Sequence, residues 1–159
     1  MRALVLLLLL AGCDRLDEPR MLQGLDEPFF HCNVQPVLTK SCASLLCHGD
    51  GNRYYKIFAR NRLRYGLGED QRNATLQEIE RAYNYNASIA QVDLDKPLES
   101  LLLLKPLDQA AGGYYHGGAV EFEKGDVFLS RDEQDFQTLQ AWVTGMTEDP
   151  KCIEPGSNL

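Results

Sequence analysis

The stretch Cys42-Ala43-Ser44-Leu45-Leu46-Cys47-His48-Gly49 decides how this chain is read. Two cysteines stand five positions apart, and a histidine follows the second directly. Covalent haem attachment needs that order: two thiols add across the porphyrin vinyl groups, and the next imidazole binds the iron. The usual spacing is C-x-x-C-H; here the spacer is four residues. Two other readings stay open. A local Cys42–Cys47 disulfide accounts for the cysteines but leaves His48 as coincidence. A zinc site needs four ligands, normally in separated pairs, and adjacent Cys47 and His48 cannot easily both reach one tetrahedral ion.

Upstream of this stretch, Gln35-Pro36-Val37-Leu38 carries proline where a helix can start, because a first-turn amide has no intrahelical partner. The pattern predicts a helix from there into Cys42. Downstream, Gly49-Asp50-Gly51-Asn52 predicts a tight turn. Arg53 to Tyr65 then interleaves arginines with Tyr54, Tyr55, Phe58 and Tyr65. These residues can pack on porphyrin and pair with its propionates, or they form a basic strip over a partly buried stripe.

Thr75-Leu76-Gln77-Glu78 has the form of a capping box and predicts a helix to about Ile89. Leu76, Ile79, Ala82 and Tyr83 fall on its expected core face. Pro97 to Pro106 brackets a short apolar helix, too short to span a bilayer. Gly112-Gly113-Tyr114-Tyr115-His116-Gly117-Gly118 reads as a flexible glycine-bounded loop, open to close approach by a flat ligand. A second capping box at Ser130-Arg131-Asp132-Glu133 opens a last helix with Phe136, Leu139, Trp142 and Val143 on one side, ending at Gly145.

Three of these segments together resemble planctomycete-type cytochrome c domains. They are the lead-in Val34-Gln35-Pro36-Val37-Leu38, the C-x4-C-H motif, and Ser100-Leu101-Leu102 … Lys105-Pro106 … His116-Gly117-Gly118. The resemblance implies a mostly α, cytochrome c-like small helical domain with long loops and one covalent haem c. Cys42 and Cys47 are then the thioether positions and His48 the proximal iron ligand. For the sixth ligand the inventory is short. Met1 leaves with the signal segment, Met21 lies in a tether, and His31 is held beside Cys32. His116, which the resemblance covers, is the first candidate and Met146 the second.

The chain opens with Met1-Arg2-Ala3 and an apolar run from Leu4 to Leu10, the form of a secretory signal. Leu10-Ala11-Gly12-Cys13 resembles the bacterial lipobox, which implies cleavage before Cys13 and lipid on its sulfur. The expected organisation is a lipoprotein signal peptide over 1–12, a lipid-anchored tether over 13–28 and the cytochrome c-like haem domain over 29–159. With Cys13 lipidated and Cys42 and Cys47 on haem, Cys32 and Cys152 remain for one disulfide, which an oxidising envelope compartment permits. The loop it closes exceeds a hundred residues, for which the chain-entropy model allows up to ~4.7 kcal/mol. Without haem, other pairings become possible.

A net charge of −7 argues against nucleic-acid binding, which needs a basic surface. No nucleophile with a neighbouring base and no phosphate loop stands out. The expectation is therefore electron transfer rather than catalysis, on the periplasmic or outer-surface side of a bacterial membrane, with redox proteins as partners. The rival is a disulfide-stapled envelope lipoprotein that binds or scaffolds without haem.

Overall fold

The structure, a computed structural model, describes residues 24–117 and 126–148. The expected signal peptide, Cys13, most of the tether, Gly118 and Cys152 lie outside the described residues. The described chain is mostly helical, as expected, and no strand forms among the described residues. One isolated parallel bridge joins Leu107 to Phe128. No helix among the described residues is long and apolar enough to cross a membrane.

The fold begins earlier than the proline pattern suggests. Helix α1 (Glu27–Phe29) starts inside the stretch assigned to the tether. Asp26 Oδ1 accepts the Phe29 N–H at 2.6 Å, and Pro28 sits in the first turn, where its missing N–H is harmless. The chain continues through a π turn, Phe30–Val34, into α2 (Gln35–Ser41). Pro36 sits in the first turn of α2, as expected, but that helix continues a longer helical run. In a regular α-helix its ring would press on the Cys32 carbonyl. The wider π turn, closed by the Gln35 N–H on the Phe30 carbonyl, relieves that contact.

Helix α5 (Gln134–Val143) buries the four residues its periodicity selects, Phe136, Leu139, Trp142 and Val143. Trp142 packs on Phe30 with ring centroids 5.0 Å apart, and its Nε1 donates to the Asp26 carbonyl at 2.9 Å. The last helix is therefore locked to the first, and each large apolar side chain so buried contributes roughly 1.5–3 kcal/mol. Gly145, at φ 95°, ends α5: its N–H reaches the Trp142 carbonyl and the Met146 N–H reaches Ala141, both at 2.9 Å. That Schellman arrangement is the reason glycine is needed there.

Helix α3 (Glu78–Ile89) starts two residues later than the first capping-box pattern suggests; the box that forms pairs Gln77 with Glu80. Its buried face also differs from the apolar one expected. Ile79 is 53% exposed, while Glu80, Asn84 and Ser88 are fully buried. This inward stripe is polar because each member has a partner. Glu80 binds Arg64 through two charged hydrogen bonds, 2.9 and 2.8 Å. Asn84 takes the Phe58 N–H at 2.9 Å and donates to Gln35 at 2.9 Å and to the Phe58 carbonyl at 2.8 Å. Ser88 Oγ lies 3.0 Å from the Tyr55 hydroxyl. Residues 55–65 have no regular structure of their own, so α3 supplies the hydrogen bonds that irregular buried backbone requires.

Candidate functional site

The Cys42–Gly49 segment folds into a compact set of turns directly after α2. The Ala43 N–H returns to the Leu38 carbonyl at 2.9 Å, Cys47 N–H to Ser44 at 2.9 Å, and His48 N–H to Cys42 at 3.1 Å. The four-residue spacer is thereby drawn up, leaving Leu45 and Leu46 exposed. Gly49 closes the loop. A Cβ on it would stand 2.2 Å from the Ala43 oxygen and 2.8 Å from the Ser44 oxygen, both backbone atoms. Gly49→Ala should therefore displace the loop and cost about 1–3 kcal/mol, as overpacking does. Gly51→Ala, meeting only an ordinary 3.6 Å contact with Leu63, should leave the urea midpoint nearly unchanged.

His48 is held by its own downstream chain. Its Nδ1 lies 2.7 Å from the Tyr55 carbonyl oxygen. A carbonyl only accepts, so Nδ1 carries the proton and Nε2 is left with a free lone pair. Metal-binding histidines are commonly oriented by this type of bond. Tyr55 is itself fixed through Ser88 of α3 and packs edge-on against His48, with ring centroids 4.9 Å apart. Burial raises the Tyr55 phenol, so it stays neutral.

His116 comes from a segment far along the chain. The loop before it is less free than its glycines suggest. Gly113 lies so close to the Leu107 carbonyl that a Cβ would stand 1.7 Å from the oxygen. Its N–H bonds Asp108 at 3.0 Å, the Tyr114 N–H bonds Leu104 at 2.7 Å, and Lys105 Nζ donates to the Tyr115 carbonyl at 2.9 Å. Helix α4 (Leu101–Leu104) anchors this stretch through buried Leu102, Leu103 and Leu104.

These parts meet in one cavity of about 240 Å³, far more room than a single bound water needs. Cys42, Cys47, His48 and Tyr55 line it together with Leu101, Leu102, Lys105, Pro106 and His116. Leu38 and Leu139 close it from α2 and α5. The His48 and His116 rings lie 6.0 Å apart between centroids and within 17° of parallel. Burial lowers the proton affinity of His116, and the charge His48 can carry lowers it further, favouring neutral imidazole. Burial pushes the Cys42 thiol up to about 12, with Cys47 adding to the rise. At neutral pH Cys42 is therefore a thiol and not a reactive thiolate.

Cys42 and Cys47 are free thiols, so the local disulfide considered from the sequence is not formed. Among the described residues no three His, Cys, Asp or Glu side chains converge as a metal cage. Met146 is 54% exposed beyond α5 and is not among the residues lining the cavity. Cys32 is disulfide-bonded; its expected partner, Cys152, lies outside the described residues. Nearby, Asn33 Nδ2 donates to Glu148 Oε2 at 3.1 Å and the Glu148 N–H to Asp26 Oδ1 at 3.2 Å. The chain leaving α5 thus returns beside the residue following Cys32.

Sequence reasoning missed the Tyr55 carbonyl as the support of His48, since a backbone acceptor leaves no mark in the residue pattern. It also missed the buried polar stripe of α3, for which the spacing of Glu80, Asn84 and Ser88 at intervals of four was the available signal. Comparison with family models, with curated protein sequences and with solved structures finds no match to this chain.

Proposed function

We propose that this chain is a membrane-anchored c-type haem protein that carries electrons in the bacterial envelope. One observation carries the reading: Cys42, Cys47, His48 and His116, up to 74 positions apart, line a single cavity, with two near-parallel imidazoles 6.0 Å apart. Two imidazole nitrogens each about 2 Å from one metal ion leave their ring centroids roughly 6 Å apart, so the pair fits an iron with two histidine ligands. Cys42 and Cys47 are the thioether positions. Each thiol adds its sulfur and hydrogen across one vinyl double bond, a step that needs no oxidant. His48, with its proton fixed on Nδ1, offers Nε2 as proximal ligand, and His116 is the distal one. Bound haem supplies the one-electron chemistry, while the protein sets ligand orientation, burial and hydrogen bonding. Leu38, Leu101, Leu102 and Leu139 give the cavity an apolar wall.

The anchor follows from Leu10-Ala11-Gly12-Cys13, and the expected Cys32–Cys152 disulfide is supported by the bonded state of Cys32 and the return of the chain at Glu148. The net charge of −7 argues against nucleic acid, the Cys13 segment supports membrane attachment, and redox proteins are the expected partners.

The test is the mass and spectrum of the protein matured in a host that attaches haem c. Denatured wild type should keep one haem, with a Soret band. Cys42→Ala or Cys47→Ala should leave a single thioether and a shifted pyridine haemochrome, and the double variant should lose haem on denaturation. A matured wild type with both thiols unmodified would refute the reading in favour of the haem-free lipoprotein.

A further inference from the structure

Among the described residues that line the cavity with Cys42, Cys47, His48 and His116, Lys105 is the one Lys, Arg, Asp or Glu. The chain has carboxylates to spare, 23 Asp and Glu against 16 Lys and Arg, and Lys40, Arg64, Arg72 and Lys96 each pair with one. Lys105 has no carboxylate partner among the described residues; its Nζ donates to the Tyr115 carbonyl at 2.9 Å. A carbonyl accepts a hydrogen bond without neutralising the charge. An ammonium has three N–H groups, so two remain for a ligand.

Lys105 stands where the cavity opens. It caps α4, its N–H on the Leu101 carbonyl at 3.1 Å, and Leu101 and Lys105 both line the cavity while staying exposed. The arginines that the sequence offers for propionates are placed differently. None of the four from Arg53 to Arg64 lines the cavity: Arg53 donates to the Leu46 carbonyl at 3.2 Å, Arg60 to the Asn73 carbonyl at 2.9 Å, and Arg64 to Glu80 at 2.8 Å.

We propose that Lys105 binds a haem propionate at the mouth of the cavity. The inference rests on the haem reading above. A porphyrin carries its two vinyl groups on one edge and its two propionates on the opposite edge. Attachment through Cys42, a buried residue, sets the vinyl edge inward and leaves the carboxylates to the open edge, where Lys105 stands. A carboxylate brought against apolar walls needs a hydrogen-bonded partner of opposite charge. One ammonium bonded to both the propionate and the Tyr115 carbonyl also ties the residue before His116 to the cofactor.

The experiment is resonance Raman spectroscopy of the full-length, haem-loaded protein, read at the propionate bending modes, which move with hydrogen bonding to those carboxylates. Lys105→Met should shift one of these modes, Lys105→Arg should keep it near the wild-type position, and all three proteins should stay low-spin. An exposed ion pair adds little to stability, so haem content should be equal in the three. Propionate modes unmoved in Lys105→Met overturn the proposal and leave the haem reading intact. A change confined to the spin state overturns it too, because Lys105 then acts through Tyr115 alone. A matured wild type without haem overturns the haem reading itself. If Lys105→Met does not accumulate, NMR of the reduced wild type decides: contacts between the Lys105 side-chain protons and the propionate methylenes are expected, and their absence overturns the proposal.

Discussion

Glu80→Ala is expected to be the most destabilising single change in the described structure, at about 3–5 kcal/mol, the usual cost of breaking a buried ion pair from one side. Glu80 and Arg64 have side chains 0% and 2% exposed, so neither charge can turn to water when its partner is removed. The loss extends beyond the pair. Glu80 also accepts the Tyr65 and Gln77 N–H groups at 2.8 Å, and Arg64 donates to the carbonyls of Arg72, Ala74 and Thr75 at 2.7–2.9 Å. One carboxylate thus ties the start of α3 to the irregular chain that follows the His48 segment. Arg64→Met should destabilise for the mirror-image reason, and Glu80→Gln less than Glu80→Ala because it keeps the shape and one acceptor. Urea midpoints at neutral pH measure all three.

The same pair gives a pH signature. Burial alone would raise the Glu80 carboxyl, but the Arg64 hydrogen bonds and the two backbone N–H groups outweigh it, so its pKa falls below the ordinary 4.5. A depressed carboxyl contributes stability that is fully present above the unfolded-state value and is lost as pH falls through the folded one. Wild-type stability should therefore decline as pH drops from about 4.5 downward, and Glu80→Gln should decline less over that window. Parallel acid profiles for the two proteins would contradict the assignment.

His116→Ala is expected to convert the oxidised haem protein from low-spin to high-spin, whereas Met146→Ala should leave the spectrum unchanged. His116 shares the cavity with His48 at 6.0 Å, while Met146 sits exposed past the Schellman turn that ends α5. Loss of a strong sixth ligand leaves water or a vacant position, and the weaker field produces the high-spin state. His48→Ala removes the proposed proximal ligand, whose ring the Tyr55 carbonyl orients, and should lower haem occupancy as well. The converse result, high-spin Met146→Ala with unaltered His116→Ala, would assign the thioether as distal ligand and a higher potential.

Much of this arrangement is legible in the residues alone. The order Cys42, Cys47, His48 points to a chemistry because the proposed attachment and ligation would use adjacent positions of one chain. The terminal helix is equally plain: Phe136, Leu139, Trp142 and Val143 repeat at helical spacing, and Gly145 takes a left-handed conformation that other residues resist. Local rules fail where a distant partner changes the cost of a conformation. Pro28 ends the expected tether and Pro36 reads as a helix start, yet a capping Asp26 and a π turn carry one helical run through both. Glu80, Asn84 and Ser88 look like a solvent face, yet Arg64, Phe58, Gln35 and Tyr55 make that face the buried one.

The sequence by itself determined the residue types at the candidate haem site, the helical class and the last helix, because each depends on neighbours within a few positions. Only the tertiary structure decided that His116 rather than Met146 shares a cavity with His48, that the Tyr55 carbonyl sets the His48 proton, and that α3 turns its polar stripe inward. Those outcomes depend on contacts between segments tens of residues apart, whose energy is absent from any local pattern and exists only once the chain has folded.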